Sequence, residues 1–204
     1  MAQPHLIAAL IALCLSATLV AAPTGFSLRS SEQSPNGDLL VQEYERHESD
    51  GTHIVQIWLE SVEHPDESAL LFEHRRAADV IFSPDESQVA VNHHASSTDG
   101  VVEVFERTSG VHYKKLVSAD AVRQKALSAF QHSAGDCSGR EFDHLYAECV
   151  LWASDSSAFI VRLHGHESGI ASLQNYCCIF HVADQSISFD LASFDQHSLV
   201  PHRK

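Results

Sequence analysis

From residue 25 onward, short apolar runs alternate with clusters of turn-forming residues. Eleven runs are rich in Val, Ile, Phe and Tyr, residues that favour β-strands. They span residues 39–44, 53–59, 70–73, 80–82, 89–92, 101–105, 115–117, 149–152, 159–163, 176–182 and 187–191. The intervening segments, such as Ser34-Pro35-Asn36-Gly37, contain the Pro, Asn, Asp and Gly residues typical of tight turns. Many short strands separated by turns predict an antiparallel, all-β fold.

One segment interrupts the strands with helical spacing. Its apolar residues recur every three or four positions: Val122, Ala126, Leu127 and Phe130. Ser118-Ala119-Asp120 provides capping residues for a helix start. The sequence therefore predicts an inserted helix over about 118–131, with a polar loop from there to His144.

The turn-and-strand pattern occurs three times. Residues 34–41 align with residues 83–90 at a shift of 49, and residues 82–91 align with residues 152–161 at a further shift of 70. The extra length of the second shift contains the predicted helix and its loop. Each copy consists of a strand, a tight turn and a second strand, so the chain is predicted to repeat one β unit.

The middle copy carries a family resemblance. Phe82-Ser83-Pro84-Asp85, followed by Val89-Ala90-Val91, resembles the inner-strand signature of WD40-like, TolB-type β-propeller blades, F-S-P-D-G-x-x-[IVL]-[AV]. Glu86 stands where that signature has its turn glycine, the first copy has Gln33 in place of the aromatic residue, and the third has Ala153-Ser154 in place of Ser-Pro. The resemblance covers most of residues 23–204 as about three blades. It implies a single domain of antiparallel four-stranded blade-like sheets in a partial propeller-like array, and no particular activity.

Three blades are fewer than a closed propeller typically contains. A further unrecognised blade, an open array and an oligomer that completes the ring are three alternatives. The strand 159–163 is apolar on both sides, with Phe159, Val161 and Leu163 on one and Ile160 on the other. We expect the apolar stripe of the helix to cover the second face, which predicts a monomer. A second subunit on that face is the alternative.

The first 22 residues have the composition of a signal peptide. They contain no Asp, Glu, Lys or Arg, and from Leu6 onward they are rich in Leu, Ala and Ile. Ala21 and Ala22 suit signal peptidase, so cleavage is expected after Ala22. The remaining chain is then secreted or periplasmic, with no stable membrane insertion. A retained membrane anchor is the alternative, because the apolar run has the length of a short spanning helix.

The charge balance argues against nucleic acid as a partner. The chain of 204 residues has 27 acidic and 13 basic side chains, a net charge of −14. Binding to phosphates needs clustered Lys and Arg, and the basic doublets are few and far apart: Arg75-Arg76, Lys114-Lys115 and Arg203-Lys204. The expected partner is a protein, peptide or glycan bound through loops.

Four cysteines follow the predicted signal peptide: Cys137, Cys149, Cys177 and Cys178. In an exported chain they indicate two disulfides, with free buried thiols as the alternative. Cys177 and Cys178 are adjacent and point to opposite faces of an extended strand, which disfavours a bond between them. We expect one bridge from Cys149 to the strand 176–182 and another from the Cys137 loop to the same strand.

Two motifs offer reactive chemistry. His164 and His166 share one side of a predicted strand, a spacing found in metal sites, and are the candidate metal ligands. Gly135-Asp136-Cys137-Ser138-Gly139 fits a G-x-nucleophile-x-G pattern, but no hydrophobic strand precedes it and no helix follows. We therefore assign no catalytic residue and no cofactor. The sequence predicts a non-catalytic, propeller-like binding or scaffold protein; the alternative is a hydrolase or metal-dependent enzyme that uses His164 and His166 or the Cys137 region.

Overall fold

The computed structural model describes residues 23–133, 142–166, 172–192 and 194. Within these ranges the chain forms twelve strands and one helix. They are β1 Ser27–Gln33, β2 Leu39–His47, β3 His53–Ser61, β4 Ser68–His74, β5 Ala78–Phe82, β6 Gln88–His94, β7 Asp99–Ser109, β8 His112–Val117, α1 Ala119–Ser133, β9 His144–Trp152, β10 Ala158–His166, β11 Ser172–His181 and β12 Ile187–Ser188. The predicted class, mostly antiparallel β with one helix, is confirmed.

The strands form three successive meanders, which we call units 1, 2 and 3. Unit 1 contains β1 to β4, unit 2 contains β5 to β8 and unit 3 contains β9 to β12. Within each unit, strands that are neighbours in sequence pair antiparallel. Unit 1 is a separate sheet, whereas a short parallel pairing of β7 with β9 joins units 2 and 3 at Asp99–Leu145 and Gly100–Tyr146.

The turn between the first and second strands has the same geometry in all three units. The first turn residue donates its backbone N–H to the carbonyl five residues later. These pairs are Ser34–Leu39, Ser83–Gln88 and Ala153–Ala158, at 2.9, 2.9 and 2.8 Å. The fourth turn residue has a positive φ in each copy: Gly37 at 81°, Glu86 at 55° and Ser156 at 61°. The structure thus agrees with the three-fold repeat seen in the sequence.

These turns also contact one another, at what we call the turn end of the units. Asn36 donates its backbone N–H to Glu86 Oε1 at 2.7 Å and its side-chain amide to the carbonyl of Pro84 at 3.3 Å. Asp85 N–H donates to Ser156 Oγ at 3.4 Å. Glu86 is fully buried. Glu86, which replaces the turn glycine of the propeller signature, therefore joins unit 1 to unit 2.

We expect Glu86→Ala to lower the free energy of unfolding by about 2 kcal/mol, because the Asn36 N–H loses its hydrogen bond to Glu86 Oε1. The positive φ remains unfavourable for Ala. Glu86→Gly loses the same bond but relieves the backbone, so its cost should be about 1 kcal/mol smaller. Urea denaturation measures both variants. Wild-type stability in Glu86→Ala would contradict the assigned role of this side chain.

Two apolar clusters hold the units together. The cluster between units 1 and 2 includes Leu39, Ile57, Leu59, Val89, Val91 and Phe105. The cluster between units 2 and 3 includes Val102, Val104, Val122, Ala126, Phe159, Val161, Cys178 and Phe180. Alternate residues of β10 and β11 therefore face unit 2, as their sequence pattern predicts.

The helix α1 lies in the second of these interfaces. Its buried Val122 and Ala126 join the cluster that contains Phe159 and Val161, so it does not cover the Ile160 face of unit 3 as predicted. Only Ser118 separates β8 from α1, and this short connection keeps the helix beside unit 2.

On the opposite face of unit 3, Phe194 packs near Ile160 and Ile179 instead. Within the described ranges, no helix combines the length and apolar character needed to cross a membrane.

Candidate functional site at the histidine end

The end of the units opposite the turn end is rich in histidine, and we call it the histidine end. Strands β2, β4, β6 and β10 finish there, and β3, β7 and β9 begin there. Eight histidines lie at or beside these strand ends: His47, His53, His74, His93, His94, His144, His164 and His166. They are scattered along the sequence and become neighbours because antiparallel pairing returns each strand to the same end.

Three aromatic rings from three strands contact one another at this end, and we call them the ring stack. The ring centroids of Tyr146 and His164 are 4.9 Å apart with the planes at 12°, and the His94 ring lies 5.5 Å from that of Tyr146, tilted by 58°. The Tyr146 hydroxyl donates to the carbonyl of Ser97 at 3.1 Å. A Cβ at Gly100 would lie 2.7 Å from the Tyr146 ring, so only glycine fits beside it. The Tyr146 ring is therefore held by the backbone of Ser97 and Gly100.

The predicted metal ligands His164 and His166 each stack on a different ring of β9. His164 lies on Tyr146, whereas His166 lies on His144 with centroids 4.2 Å apart. The structure thus stacks His166 on His144 and His164 on Tyr146. Metal binding by His164 and His166 stays a prediction.

A different group has the geometry of a shared metal site. The side chains of Glu45, His47 and His53 each offer one ligand atom, and these atoms lie within 4.8 Å of one another. It is the one such group of three among the residues that the structure describes. Sequence reasoning missed it, although the Ser49-Asp50-Gly51 turn signal between His47 and His53 predicts a hairpin that pairs them.

His74 is buried between units 1 and 2. Its Nδ1 donates to the carbonyl of Arg76, while its Nε2 is buried with no hydrogen-bond partner among the described residues. The centroid of the Phe72 ring lies 6.1 Å from that of the His74 ring and 4.8 Å from that of the His93 ring. Burial lowers the pKa of His74, against the opposing effects of the Arg76 carbonyl and the Glu43 charge. The neutral ring is favoured because a proton on Nε2 would have no partner.

This environment predicts acid sensitivity. Because the folded-state pKa of His74 lies below its unfolded value of about 6.5, the unfolded chain binds a proton first as the pH falls. Stability contributed by His74 is therefore complete above about pH 6.5 and decreases below it, by at most about 1.4 kcal/mol per pH unit. This decrease in stability ends once the pH has fallen below the folded-state pKa of His74.

Urea denaturation between pH 7.5 and 5 measures this effect. His74→Gln should reduce the slope of stability against pH, and His112→Gln, at an exposed position, is the control. An unchanged slope in His74→Gln would contradict the prediction.

The cysteines do not form the predicted bridge from Cys149 to β11. Cys149, Cys177 and Cys178 are free thiols. Val161 of β10 pairs with Cys149 on one side and Cys178 on the other. A strand spacing of about 4.8 Å then places the two Cα atoms roughly 9.6 Å apart, beyond disulfide reach. Cys137, the proposed partner in the second bridge, lies outside the described residues.

Burial also makes two of these thiols unreactive. It raises the pKa of Cys178 to about 12 and raises that of Cys149 as well. Because the thiolate is the reactive form, neither side chain is suited to act as a nucleophile. The Cys137 motif lies outside the described residues.

No model of a known protein family matches the chain, and a search of curated protein sequences returns no match. Among solved structures, TolB from Acinetobacter baumannii is similar with a TM-score of 0.39 and 13% identity over 80% of this chain and 32% of TolB. The acylaminoacyl peptidase from Pyrococcus horikoshii is similar with a TM-score of 0.45 and 10% identity over 80% of this chain and 25% of the peptidase. The chain thus spans about a third and a quarter of these two proteins, and both likenesses are weak.

Proposed function

We propose that this protein is an exported, non-catalytic binding protein whose three units form a partial, propeller-like array. The observation that carries the binding role is the ring stack of His94, Tyr146 and His164 at the histidine end. His94 is exposed, and the other two rings are partly accessible. Aromatic side chains held rigidly at a surface contribute large contact area to binding at low entropic cost. The partner is a protein, peptide or glycan that covers these rings.

The propeller-like arrangement is supported by the contacts between repeated units. The turn end joins each unit to the next through Asn36–Glu86 and Asp85–Ser156. The opposite end is then free to present loops and rings from several strands. A rigid scaffold that carries its binding residues at one end is the general design of proteins that bind through loops.

A monomer is supported by the outer face of unit 1. Hydrogen bonds cross this face: Tyr44 donates to Gln42 at 2.7 Å, Trp58 donates to Gln56 at 3.0 Å, and Gln56 donates to Glu73 at 2.8 Å. These bonds link polar side chains of a face that packs against neither of the two main clusters. Polar side chains are typical of a sheet face that is turned to water.

Arrays of peptides and glycans, probed with the labelled full-length chain, test the proposed function. The double variant His94→Ala/His164→Ala should lose binding to the ligands that wild type retains. His112→Ala, at the turn end, should keep that binding. Equal binding by the double variant would place the binding surface elsewhere. Mass spectrometry that finds cleavage of a bound ligand would contradict the non-catalytic assignment.

Export is tested separately on protein purified from its native host. Its intact mass should correspond to a chain that begins at or near Pro23, because the apolar run ends at Ala22. A chain that retains residues 1–22 in the membrane fraction would contradict export of a soluble protein.

A further inference from the structure

The hairpin formed by β2 and β3 carries a group of side chains that the proposed partner binding does not use. Glu45 and His47 are two residues apart on β2 and therefore point to the same face. His53, the first residue of β3, is directly opposite His47 in the antiparallel register. Strand pairing thus places two imidazoles and one carboxylate together at the histidine end of unit 1.

The side chains already lie close to the geometry that a metal ion needs. His53 Nε2 is 3.1 Å from Glu45 Oε2, and the His47 and His53 rings stack with centroids 4.5 Å apart and planes at 6°. An ion with tetrahedral bonds of about 2.0–2.1 Å separates its ligand atoms by about 3.3 Å. Because all three ligand atoms lie within 4.8 Å of one another, side-chain rotation is sufficient to bring them around one ion.

The loop that joins the two strands holds this arrangement in place. Glu48 N–H donates to the carbonyl of Thr52 at 2.8 Å, and Gly51 N–H donates to the carbonyl of Glu48 at 3.0 Å. Gly51 has a φ of 84°, which closes the turn at no steric cost to glycine. Thr52 N–H donates to the Asp50 carboxylate at 2.8 Å. The spacing of His47 and His53 is therefore fixed before any ion binds.

We propose that Glu45, His47 and His53 form a binding site for Zn²⁺ or a similar divalent transition-metal ion. Two imidazoles select transition metals over Mg²⁺ and Ca²⁺, which prefer oxygen ligands. His47 is exposed, while His53 and Glu45 are about one-third exposed, so the ion reaches the site directly from solvent. Three protein ligands leave the fourth tetrahedral position for water. The site does not depend on the ring stack or on the proposed partner.

Titration of the EDTA-treated, desalted full-length chain with ZnCl₂ by isothermal calorimetry tests the site. We expect saturable one-to-one binding, and no saturable binding of Mg²⁺ or Ca²⁺. Loss of a group that merely supports a metal ligand costs about 10–100-fold in affinity. Each of His47→Ala, His53→Ala and Glu45→Gln should therefore weaken Zn²⁺ binding at least about tenfold.

The matched control is His112→Ala, which removes an exposed histidine at the turn end, away from every candidate ligand. This variant should bind Zn²⁺ as wild type does, and circular dichroism should show that all variants remain folded. In the NMR spectrum, Zn²⁺ should shift the ring signals of His47 and His53. Absence of saturable Zn²⁺ binding, or an unchanged Zn²⁺ affinity and stoichiometry in His47→Ala/His53→Ala, would overturn the proposal.

Discussion

Replacing Val122 by Asp should unfold the protein. Val122 is fully buried in the interface where α1 packs between units 2 and 3, and it lies in one cluster with Val104, Phe159 and Phe180. An aspartate at this position has no hydrogen-bonding partner in an apolar environment, and burying it costs several kcal/mol. Because a typical domain is stable by only about 5–15 kcal/mol, we expect a loss of at least about 4 kcal/mol.

Circular dichroism with light scattering measures this result. Gln124→Asp adds the same charge at an exposed position of α1 and should leave the protein folded. Leu127→Asp should destabilise the protein less than Val122→Asp, because Leu127 is only partly buried. A stable wild-type dimer that becomes a folded monomer in Val122→Asp would show that α1 covers a subunit interface, and would contradict the proposed monomer.

Replacing Asn92 by Ala should destabilise the protein by about 3 kcal/mol. The Asn92 side chain donates to the carbonyl of Cys149 at 2.9 Å and accepts from the N–H of Cys149 at 2.8 Å. It thereby joins β6 of unit 2 to β9 of unit 3 beside a register shift in the pairing of β9 with β10. Cys149 is buried, so the substitution leaves two backbone groups without partners, at about 1–3 kcal/mol each.

Urea denaturation measures this loss against Asn36→Ala. Asn36 donates its side-chain amide in one exposed bond at the turn end, so its replacement should cost about 1 kcal/mol or less. If Asn92→Ala is as stable as Asn36→Ala, the reciprocal bonds to Cys149 do not contribute to the contact between the units.

The local sequence was sufficient for most strands and for the helix. Each of the eleven apolar runs overlaps a strand of the structure, although the last is reduced to Ile187–Ser188. The alternation in β10 and β11 also predicted which side chains share a face, because successive side chains of a strand point to opposite sides. The strand β1 was missed because it is almost entirely polar and exposed, and only its pairing with β2 identifies it.

The sequence also indicated the repeat and its departures from the propeller signature, but not their use. Glu86 is unexpected at a position with a positive φ. Its role becomes clear only when the first turn lies against the second and Asn36 reaches the Glu86 carboxylate. A local pattern determines the shape of a turn, whereas the arrangement of units determines what that turn contacts.

The order of the strands, the helix and the repeated turns were determined by the sequence alone, because each depends on residues within a few positions of one another. Two features were decided only by the tertiary structure. Strand β10 separates Cys149 from Cys178, and α1 packs between units 2 and 3 rather than on the outer face. Each depends on which strands become neighbours and at what register, and those are set by burial of the whole set of apolar faces together.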